Sequence, residues 1–487
     1  MKVNRRMSLA TDRGDGLCAS LVGHHSPKEN EVEEVKRRSR TRLRNDFAFW
    51  LLGLINNSSY VIMMAVAKDV APGAVGIVFL AAVAPTMLVK VTAPYWFHFV
   101  PYSVRVVACT VLLVMSLVTV GYGGSTSVQL LGVCFSSFQG GLGEASFLAL
   151  ASFYDTPRAL TAWSSGTGFA GIFGYAWVYT LNFVIGLSLR TTLMIANSLG
   201  LIFLFAYFRL LSAPLIHFGG SGRSLKKTLG RENGAAGATY SPLRSSRPQM
   251  QSSPLEPSLV NSASGGRRLY YSNTDEIGGE EEGWGEGGEG THDMEMTADE
   301  SQRSPKMTAK ERLYFTLSLW RFTVPLMLVY FAEYTMQTGT WSAIGFPITS
   351  ADARRRFYEY SNWCYQGGVF VSRSSGMIVR LSPLMLWSLP AVQVAMLIFF
   401  YLVAVVKFWY GYGLLFLCFG VGLVGGLGYV NAFRLVAEAV PPESKELALA
   451  SASVGDSFGV MFSDIFGTFV QACVYKRNGI SGAWATC

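Results

Sequence analysis

Long apolar blocks dominate this 487-residue chain. About eleven of them reach or approach the roughly 18–20 residues that a helix needs to cross a bilayer. Only 15% of the residues are charged, whereas a soluble protein carries about a quarter. The pattern therefore predicts an all-α polytopic membrane protein.

Six blocks precede a long polar segment and five follow it. They divide the chain into a basic cytoplasmic tail (1–45), an N-terminal six-helix half (46–211), a cytoplasmic linker (212–312) and a C-terminal half (313–487). The tail is polar and the linker is rich in Gly, Ser, Pro and Glu, so both are expected to be disordered. The predicted spans are Phe47–Ala67, Val75–Phe97, Val104–Tyr122, Val128–Phe153, Trp163–Leu187, Thr191–Leu211, Trp320–Thr340, Phe357–Val371, Met377–Val406, Tyr410–Glu438 and Leu447–Val474.

The positions of lysine and arginine predict the orientation. The run "KRRSRTRLR" (Lys36–Arg44) precedes the first span, and Arg105, Arg158, Arg373 and the basic residues of the linker fall on the same side if the spans alternate. The positive-inside rule places that side, with the N-terminus, in the cytoplasm. The net charge of +8 is thus explained by topology and by attraction to anionic lipid, and no nucleic-acid partner is expected.

A short repeat suggests that the two halves share one design. "GGLGEASFLAL" (Gly140–Leu150) in the fourth span is echoed by "GGLGYVNAFRL" (Gly425–Leu435) in the tenth. Equivalent elements six spans apart indicate two parallel repeats, as in major-facilitator transporters. The alternative is that small residues recur wherever membrane helices pack closely. The second half then has either five spans, with a lumenal C-terminus, or a further short helix near Trp341–Thr349.

Polar residues at membrane depth are functional candidates, because a carboxylate in hydrocarbon is costly unless it faces a cavity or a partner. Glu333 lies close to the middle of the seventh span, and we predict that it couples transport or orients the substrate. Spans one, four and seven line the central cavity in a major-facilitator layout. The predicted substrate-binding residues are Glu333, Asn56, Asn57, Tyr334, Gln337 and Tyr365.

Three further residues are predicted to control gating: Lys90, Glu144 and Arg373. The structural alternatives are that Glu144 pairs with Lys90, and that Glu333 is neutral and hydrogen-bonded between helices. An anionic substrate needs a cation in the cavity, and Arg373 and Lys90 are the candidates. Asp464 is predicted to lie near a span end, where water solvates it.

Several other motifs do not indicate chemistry. Two G-x-G-x-x-G matches, at 166–171 and 420–425, lie inside spans and favour close helix packing over nucleotide binding. Asp155 and Asp456 distantly resemble an intramembrane aspartyl-protease pair, but Asp155 sits at a span end and cannot share a buried proton. The seven cysteines show no close pair and predict neither a disulfide framework nor a zinc site. No enzymatic activity, cofactor or metal is expected.

Seven segments, in order along the chain, resemble the battenin family. They are "FWLLGLINNSSYVIM", "APTMLVKVTAPYWFHFVPYSVRV", "GGLGEASFLALASFY", "WSSGTGFAG", "VPLMLVYFAEY", "YQGGVFVSRSS" and "GGLGYVNAF". The resemblance spans nearly all of the membrane-embedded chain, whereas the tail and the linker show none. It implies a major-facilitator-like fold in a lysosomal or vacuolar membrane.

The resemblance also implies a function. It implies export of glycerophosphodiesters, with an influence on lumenal pH and basic amino acids, and it marks Glu333, Arg373 and Asp456 as sensitive positions. Asp456 therefore joins the gating candidates. The chain departs from relatives that end in a prenylation motif, because its last residues are "AWATC". The leading hypothesis is a secondary transporter of a small polar metabolite. The alternative is a membrane scaffold that recruits trafficking factors through the linker.

Overall fold

The computed structural model describes residues 27–65, 75–212, 307–483 and 485–487. Fourteen α-helices and no strand occur in these ranges. The helices are α1 (Pro27–Ala65), α2 (Val75–Trp96), α3 (Tyr102–Tyr122), α4 (Thr126–Leu150), α5 (Thr156–Val178), α6 (Leu189–Ala196), α7 (Ser198–Phe205), α8 (Ala309–Ser318), α9 (Trp320–Thr335), α10 (Ala351–Ser374), α11 (Pro383–Val406), α12 (Leu414–Ala439), α13 (Lys445–Ala452) and α14 (Val454–Arg477). Short π-helical segments extend α5, α7 and α9 at Tyr179–Val184, Ala206–Leu210 and Met336–Thr340.

Each of the eleven predicted spans coincides with helical structure, but the predicted ends of the tail and the linker need correction. α1 begins at Pro27, so residues 27–45 continue the first span as helix and are not disordered there. α8 begins inside the predicted linker, where the Thr308 hydroxyl and the Glu311 carboxylate form a capping box. Residues 1–26 and 213–306 lie outside the described chain.

A test of helix length and apolar composition, applied to the helices of the structure, identifies fewer spans than the eleven predicted from the sequence. Within the described residues, five helices are long and apolar enough to cross a membrane: Tyr102–Tyr122, Leu189–Leu210, Pro383–Val406, Leu414–Ala439 and Pro442–Arg477. A sixth is added if Ala309–Ser318 and Trp320–Ala343, which are bent by 64° at their junction, form one span. The other predicted spans are recognised by how their helices pack into the same bundle.

The same helix pairs form in both halves. In the N-terminal half α1 packs along α5, and α2 and α3 pack on α4. In the C-terminal half α9 packs along α14, and α10 and α11 pack on α12. Each pair recurs six spans later, in the same order and direction along the chain. The fold is therefore two parallel repeats, which is the major-facilitator plan.

The halves meet through two matching seams, in which α2 lies against α14 and α5 lies against α10. We call the face of the bundle where α2 ends and α3 begins the N-terminal face, because α1 enters the bundle there. At this face the Tyr102 hydroxyl donates to Glu446 across the seam, and Arg312 donates to the Pro94 carbonyl. The other side is called the opposite face.

The second half is a five-span version of the first. α6 and α7 pack on α3 and α1 in the first half, whereas α11, the counterpart of α3, packs directly on α9. The short helix considered near Trp341–Thr349 is limited to a 3₁₀ turn at Trp341–Ala343. The described chain has no additional span there, because residues 344–350 leave the helix before α10 begins.

Close backbone approach explains the glycine motifs, as expected. A Cβ atom at Gly166 would lie 1.9 Å from the Trp50 carbonyl oxygen, and one at Gly422 would lie 2.1 Å from the Tyr365 carbonyl oxygen. These contacts bring α1 to α5 in the N-terminal half and α10 to α12 in the C-terminal half. Gly420 is the exception, since nothing lies within 4 Å of a Cβ built there.

One disulfide corrects the cysteine prediction. Cys473, near the end of α14, is bonded to Cys487. The last residues leave the helix at Asn478 and fold back beside it, so two cysteines that are 14 positions apart become neighbours. The disulfide lies at the opposite face.

Candidate functional site

Lys90 occupies the centre of the bundle and holds carboxylates from both halves. It extends from α2, and its side chain is only 1% exposed. Its ammonium lies 2.7 Å from Glu144 of α4 and 3.1 Å from each carboxylate oxygen of Asp456 of α14. The expected Lys90–Glu144 pair is present, and Asp456 adds a second partner from the other half. A buried cation is tolerated when its hydrogen bonds are satisfied in this way.

Tyr429 adds a second link from the C-terminal half, through its hydroxyl group. Its hydroxyl donates to Glu144 at 2.6 Å and accepts from the Trp163 indole at 3.4 Å. Tyr429 belongs to α12, whereas Glu144 and Trp163 belong to α4 and α5. Both contacts of the Tyr429 hydroxyl therefore cross between the halves.

Arg373 lies in the same region without a carboxylate partner in the described chain. Its guanidinium donates to Thr167 of α5 at 2.7 Å and to the Tyr330 hydroxyl at 2.6 Å. It also stacks 4.0 Å from the centre of the Tyr429 ring, and its Nε has no hydrogen-bond partner. Arg373 is thus a half-buried cation whose direct contacts are aromatic and hydroxyl groups, with the Glu333 carboxylate at longer range. We call Lys90, Glu144, Arg373, Tyr429 and Asp456 the interhalf cluster.

A small polar cavity adjoins the interhalf cluster. Its volume is about 110 Å³, which is room for about four water molecules and less than the roughly 300 Å³ of a small-molecule pocket. All five cluster residues line it, together with Asn57, Tyr60, Thr86, Ser136, Ser137, Tyr330 and Tyr334 among others.

The cavity lies on the opposite-face side of the cluster. α2 runs toward the N-terminal face, and its lining residue Ala82 precedes Lys90. α4 also runs toward the N-terminal face, and Ser136 precedes Glu144. α14 runs the other way, and Val460 follows Asp456. The charged groups therefore form the floor of the cavity and close it toward the N-terminal face.

Glu333 does not reach this cavity, contrary to expectation. Both of its oxygens are engaged within the C-terminal half: Oε1 accepts from the Tyr365 hydroxyl, and Oε2 accepts from Gln393 at 3.2 Å. Gly425 makes room for the carboxylate, since a Cβ there would lie 1.8 Å from Oε2. Tyr365 is likewise turned inward. These two predicted substrate contacts form a buried cluster that joins α9, α10 and α11.

Asn56 is likewise bound inside its own half, the N-terminal one. It accepts from Gln139 at 2.8 Å and donates to the Gly140 carbonyl, and Ser59 donates to the same Gln139. Gln337 is also buried away from the cavity. Of the predicted substrate contacts, Asn57 and Tyr334 line the cavity, while Asn56, Glu333, Gln337 and Tyr365 do not.

The predicted gating residues, by contrast, converge. Lys90, Glu144, Arg373 and Asp456 come from four helices and meet at the cavity floor. Tyr330 and Tyr429 were missed because tyrosine in an apolar span carries no distinctive signal. The one available hint for Tyr429 was its place directly after the repeated "GGLG".

A family comparison matches the membrane-embedded chain. The model of the "CLN3 protein" family matches residues 47–476. Protein btn-1 of Neurospora crassa is 34% identical over 421 residues, which are 85% of this chain and 84% of that protein. Battenin of Canis lupus familiaris is 30% identical over 458 residues, which are 87% and 89% of the two chains.

Solved structures match the chain at lower similarity. The Escherichia coli fucose:proton symporter FucP (N162A) covers 91% of this chain, with 13% identity and a TM-score of 0.48. The repeated helix pairs themselves show the fold. The family assignment rests on the extent and identity of the sequence matches, and by them the chain belongs to the CLN3 protein family, which includes battenin.

Proposed function

We propose that the protein is a secondary transporter that moves a small polar metabolite by alternating access. The observation that carries this proposal is the interhalf cluster, in which charged residues from both halves meet at the floor of a polar cavity. Charges in a membrane bundle are costly unless they serve a path or a partner. Here they link two repeats across a seam, so relative movement of the halves would break the links and open the floor.

Arg373 supports an anionic or zwitterionic substrate. Lys90 is occupied by two carboxylates, whereas Arg373 makes no ion pair in the described chain and presents an unused Nε donor. Guanidinium groups bind phosphate through paired hydrogen bonds. We therefore propose a glycerophosphodiester as the substrate class, with its phosphate at Arg373. Asn57 and Tyr334 would supply hydrogen bonds to the glycerol or headgroup.

The small cavity supports the interpretation of this conformation as a closed stage of the proposed cycle. A glycerophosphodiester needs more space than about 110 Å³. The substrate would enter when the tyrosines on the opposite-face side, Tyr60 and Tyr334, move apart with their halves. Closure would bring it onto Arg373.

We also propose a lysosomal or vacuolar location, with the opposite face in the lumen and the N-terminus in the cytoplasm. The disulfide between Cys473 and Cys487 supports this orientation, because disulfides persist in oxidising compartments. The basic residues before α1 support the same assignment. A contribution to lumenal pH or to amino-acid balance would then be a consequence of transport.

The test is uptake of radiolabelled glycerophosphocholine and glycerophosphoinositol into proteoliposomes that contain the purified full chain. Wild type is expected to take up at least one probe, and Arg373→Gln is expected to take it up at least tenfold more slowly. Arg355→Gln is the matched control, since Arg355 lies on the same helix, is 57% exposed and pairs, among the described residues, with Glu359 alone. Equal uptake by protein-free and wild-type liposomes for both probes would contradict the proposal.

The scaffold hypothesis concerns a segment that lies almost wholly outside the described residues. Deleting residues 225–305 separates the two ideas. A transporter should keep its uptake in proteoliposomes after the deletion, whereas a scaffold should lose its binding partners and its organelle phenotype together.

A further inference from the structure

Asp464 is a buried carboxylate that the interhalf cluster does not use. Both of its oxygens are buried and have no hydrogen-bond partner within the described chain. The residue lies near the middle of α14 (Val454–Arg477), so the expectation that water solvates it at a span end is not met. An isolated charged carboxylate in such a place is costly, and the group avoids the cost by binding a proton or a cation.

Asp464 shares a helix face with the cavity floor. Asp456, Val460 and Asp464 are spaced by four residues along α14, and residues with this spacing lie above one another on one face. Asp456 and Val460 line the cavity. Asp464 is therefore two turns further toward the opposite face, about 12 Å along the helix axis.

Asp464 interacts with phenols at a longer range than a hydrogen bond. Tyr60 of α1, Tyr334 of α9 and Tyr358 of α10 lie within electrostatic range of its carboxylate. Tyr60 and Tyr334 also line the cavity. No lysine, arginine or histidine of the described residues balances the Asp464 charge, because Lys90 is held by Glu144 and Asp456 two turns away.

The helix opposite Asp464 is irregular at this level. The π-helical segment Met336–Thr340 of α9 packs on α14, and a Cβ at Gly467 would lie 2.0 Å from the Thr338 hydroxyl. π-Helical turns are frequent at functional sites. The π-helical segment begins two residues after Tyr334, which lines the cavity. A change in the charge of Asp464 is therefore positioned to move Tyr334.

We propose that Asp464 is a proton-binding site at the opposite-face end of the cavity. A proton from water on that side forms an O–H bond with one carboxylate oxygen, and its release to water reverses the step. The neutral acid can donate a hydrogen bond to a phenol oxygen, which the carboxylate cannot. A metal ion fits less well, because the described residues contain no group of three or more His, Cys, Asp or Glu that could hold one. The role of this proton in coupling rests on the proposed transport function, whereas the protonation does not.

The first test is infrared spectroscopy of the purified full chain in lipid. The wild type is expected to show the carbonyl stretch of protonated carboxylic acids at neutral pH, and Asp464→Asn is expected to lose the intensity of one group. Glu359→Gln, which removes a half-exposed acid on α10, should lose none. An unchanged band in Asp464→Asn would overturn the proposal.

A second measurement needs no variant. Dicyclohexylcarbodiimide reacts with protonated carboxyl groups in apolar surroundings, and peptide mass spectrometry locates the adduct. Modification of Asp464 at neutral pH and its loss at alkaline pH support the proposal. An unmodified Asp464 in a sample where another buried acid reacts would contradict it.

Coupling is tested separately with glycerophosphocholine as the probe. Asp464→Asn should retain exchange across proteoliposomes at equal pH and lose at least tenfold of the accumulation driven by an imposed pH gradient. Gradient-driven accumulation at the wild-type level would exclude a coupling role. If the wild type moves no probe, the proposed function fails while the infrared result still decides the protonation.

Discussion

Lys90 of the N-terminal half and Asp456 of the C-terminal half are joined by two hydrogen bonds, each 3.1 Å long, at the floor of the central cavity. Lys90 also holds Glu144 of its own half. A single ammonium thus satisfies two carboxylates and links the repeats. This arrangement places buried charges at the floor of the cavity, where they also join the halves.

Replacing Lys90 should destabilise the bundle strongly. Lys90→Met leaves Glu144 and Asp456 buried without their cation, and removal of one partner from a buried ion pair costs about 3–5 kcal/mol. Thermal unfolding in detergent should show a clearly lower midpoint for this variant. Lys310→Met, at an exposed position of α8, is the control and should not shift the midpoint. Adding Glu144→Gln and Asp456→Asn to Lys90→Met should recover part of the loss, and a further decrease would argue against a shared charge cluster.

Glu333 should behave as a structural residue. Glu333→Ala leaves the Tyr365 hydroxyl without its acceptor, and it leaves one N–H of the Gln393 amide unpaired while the other still donates to the Val421 carbonyl. Each buried group left unpaired costs about 1–3 kcal/mol. Glu333→Gln keeps an acceptor for Gln393, and the Tyr365 hydroxyl can accept from the new amide. The first variant should unfold at a lower temperature, and the second should retain most of the stability and the uptake. Loss of uptake in a stably folded Glu333→Gln would restore this residue to the transport mechanism.

Two glycines of α12 provide a matched pair. A Cβ at Gly422 would lie 2.1 Å from the Tyr365 carbonyl oxygen, whereas nothing lies within 4 Å of one at Gly420. Gly422→Ala must push α10 and α12 apart, and strain of this kind in a packed core costs about 1–3 kcal/mol or more. Gly420→Ala should be neutral or slightly stabilising. The midpoint of thermal unfolding should therefore be lower for Gly422→Ala than for Gly420→Ala. Equal midpoints would contradict the close packing of α10 on α12 at Gly422.

The disulfide provides a test of orientation. In intact organelles, a membrane-impermeant maleimide should label the wild type at Cys473 or Cys487 only after reduction and only when the lumen is opened. Cys487→Ser frees Cys473, so labelling should no longer require reduction. Labelling of these residues from the cytoplasmic side would reverse the assigned orientation.

The sequence predicted the helices and the repeat more completely than the site. Apolar length and the positions of charged residues locate spans, because the hydrocarbon core imposes the same requirement on every helix. The "GGLG" repeat gave the correspondence between α4 and α12. The start of α1 was missed because the helix continues beyond the apolar block into residues whose polarity does not prevent helix formation.

The direction of a polar side chain could not be predicted in the same way. Asn56 and Asn57 are adjacent, yet one is bound inside its half and the other lines the cavity. Glu333 and Tyr334 are also adjacent, yet Glu333 is bound inside its half and Tyr334 lines the cavity. Helical rotation between neighbours is large, and the inner partners, Gln139 and Gln393, come from distant segments. Lys90, Glu144, Arg373 and Asp456 meet at the cavity, whereas Glu333 finds its partners inside its own half, because a buried charge needs either a partner or a cavity.

The most direct test of the central claim, that two repeats joined at the cavity floor move against each other, is a pair of distances between spin labels. Labels at 104 and 443 report the N-terminal face, and labels at 127 and 352 report the opposite face; all four positions are exposed. Asp456→Asn weakens the link to Lys90 and should shift the population by the 5–150-fold that is typical of about 1–3 kcal/mol of coupling. The account predicts that the 104–443 distance lengthens while the 127–352 distance shortens. Distances that stay unchanged at both faces, in a folded variant, would contradict it.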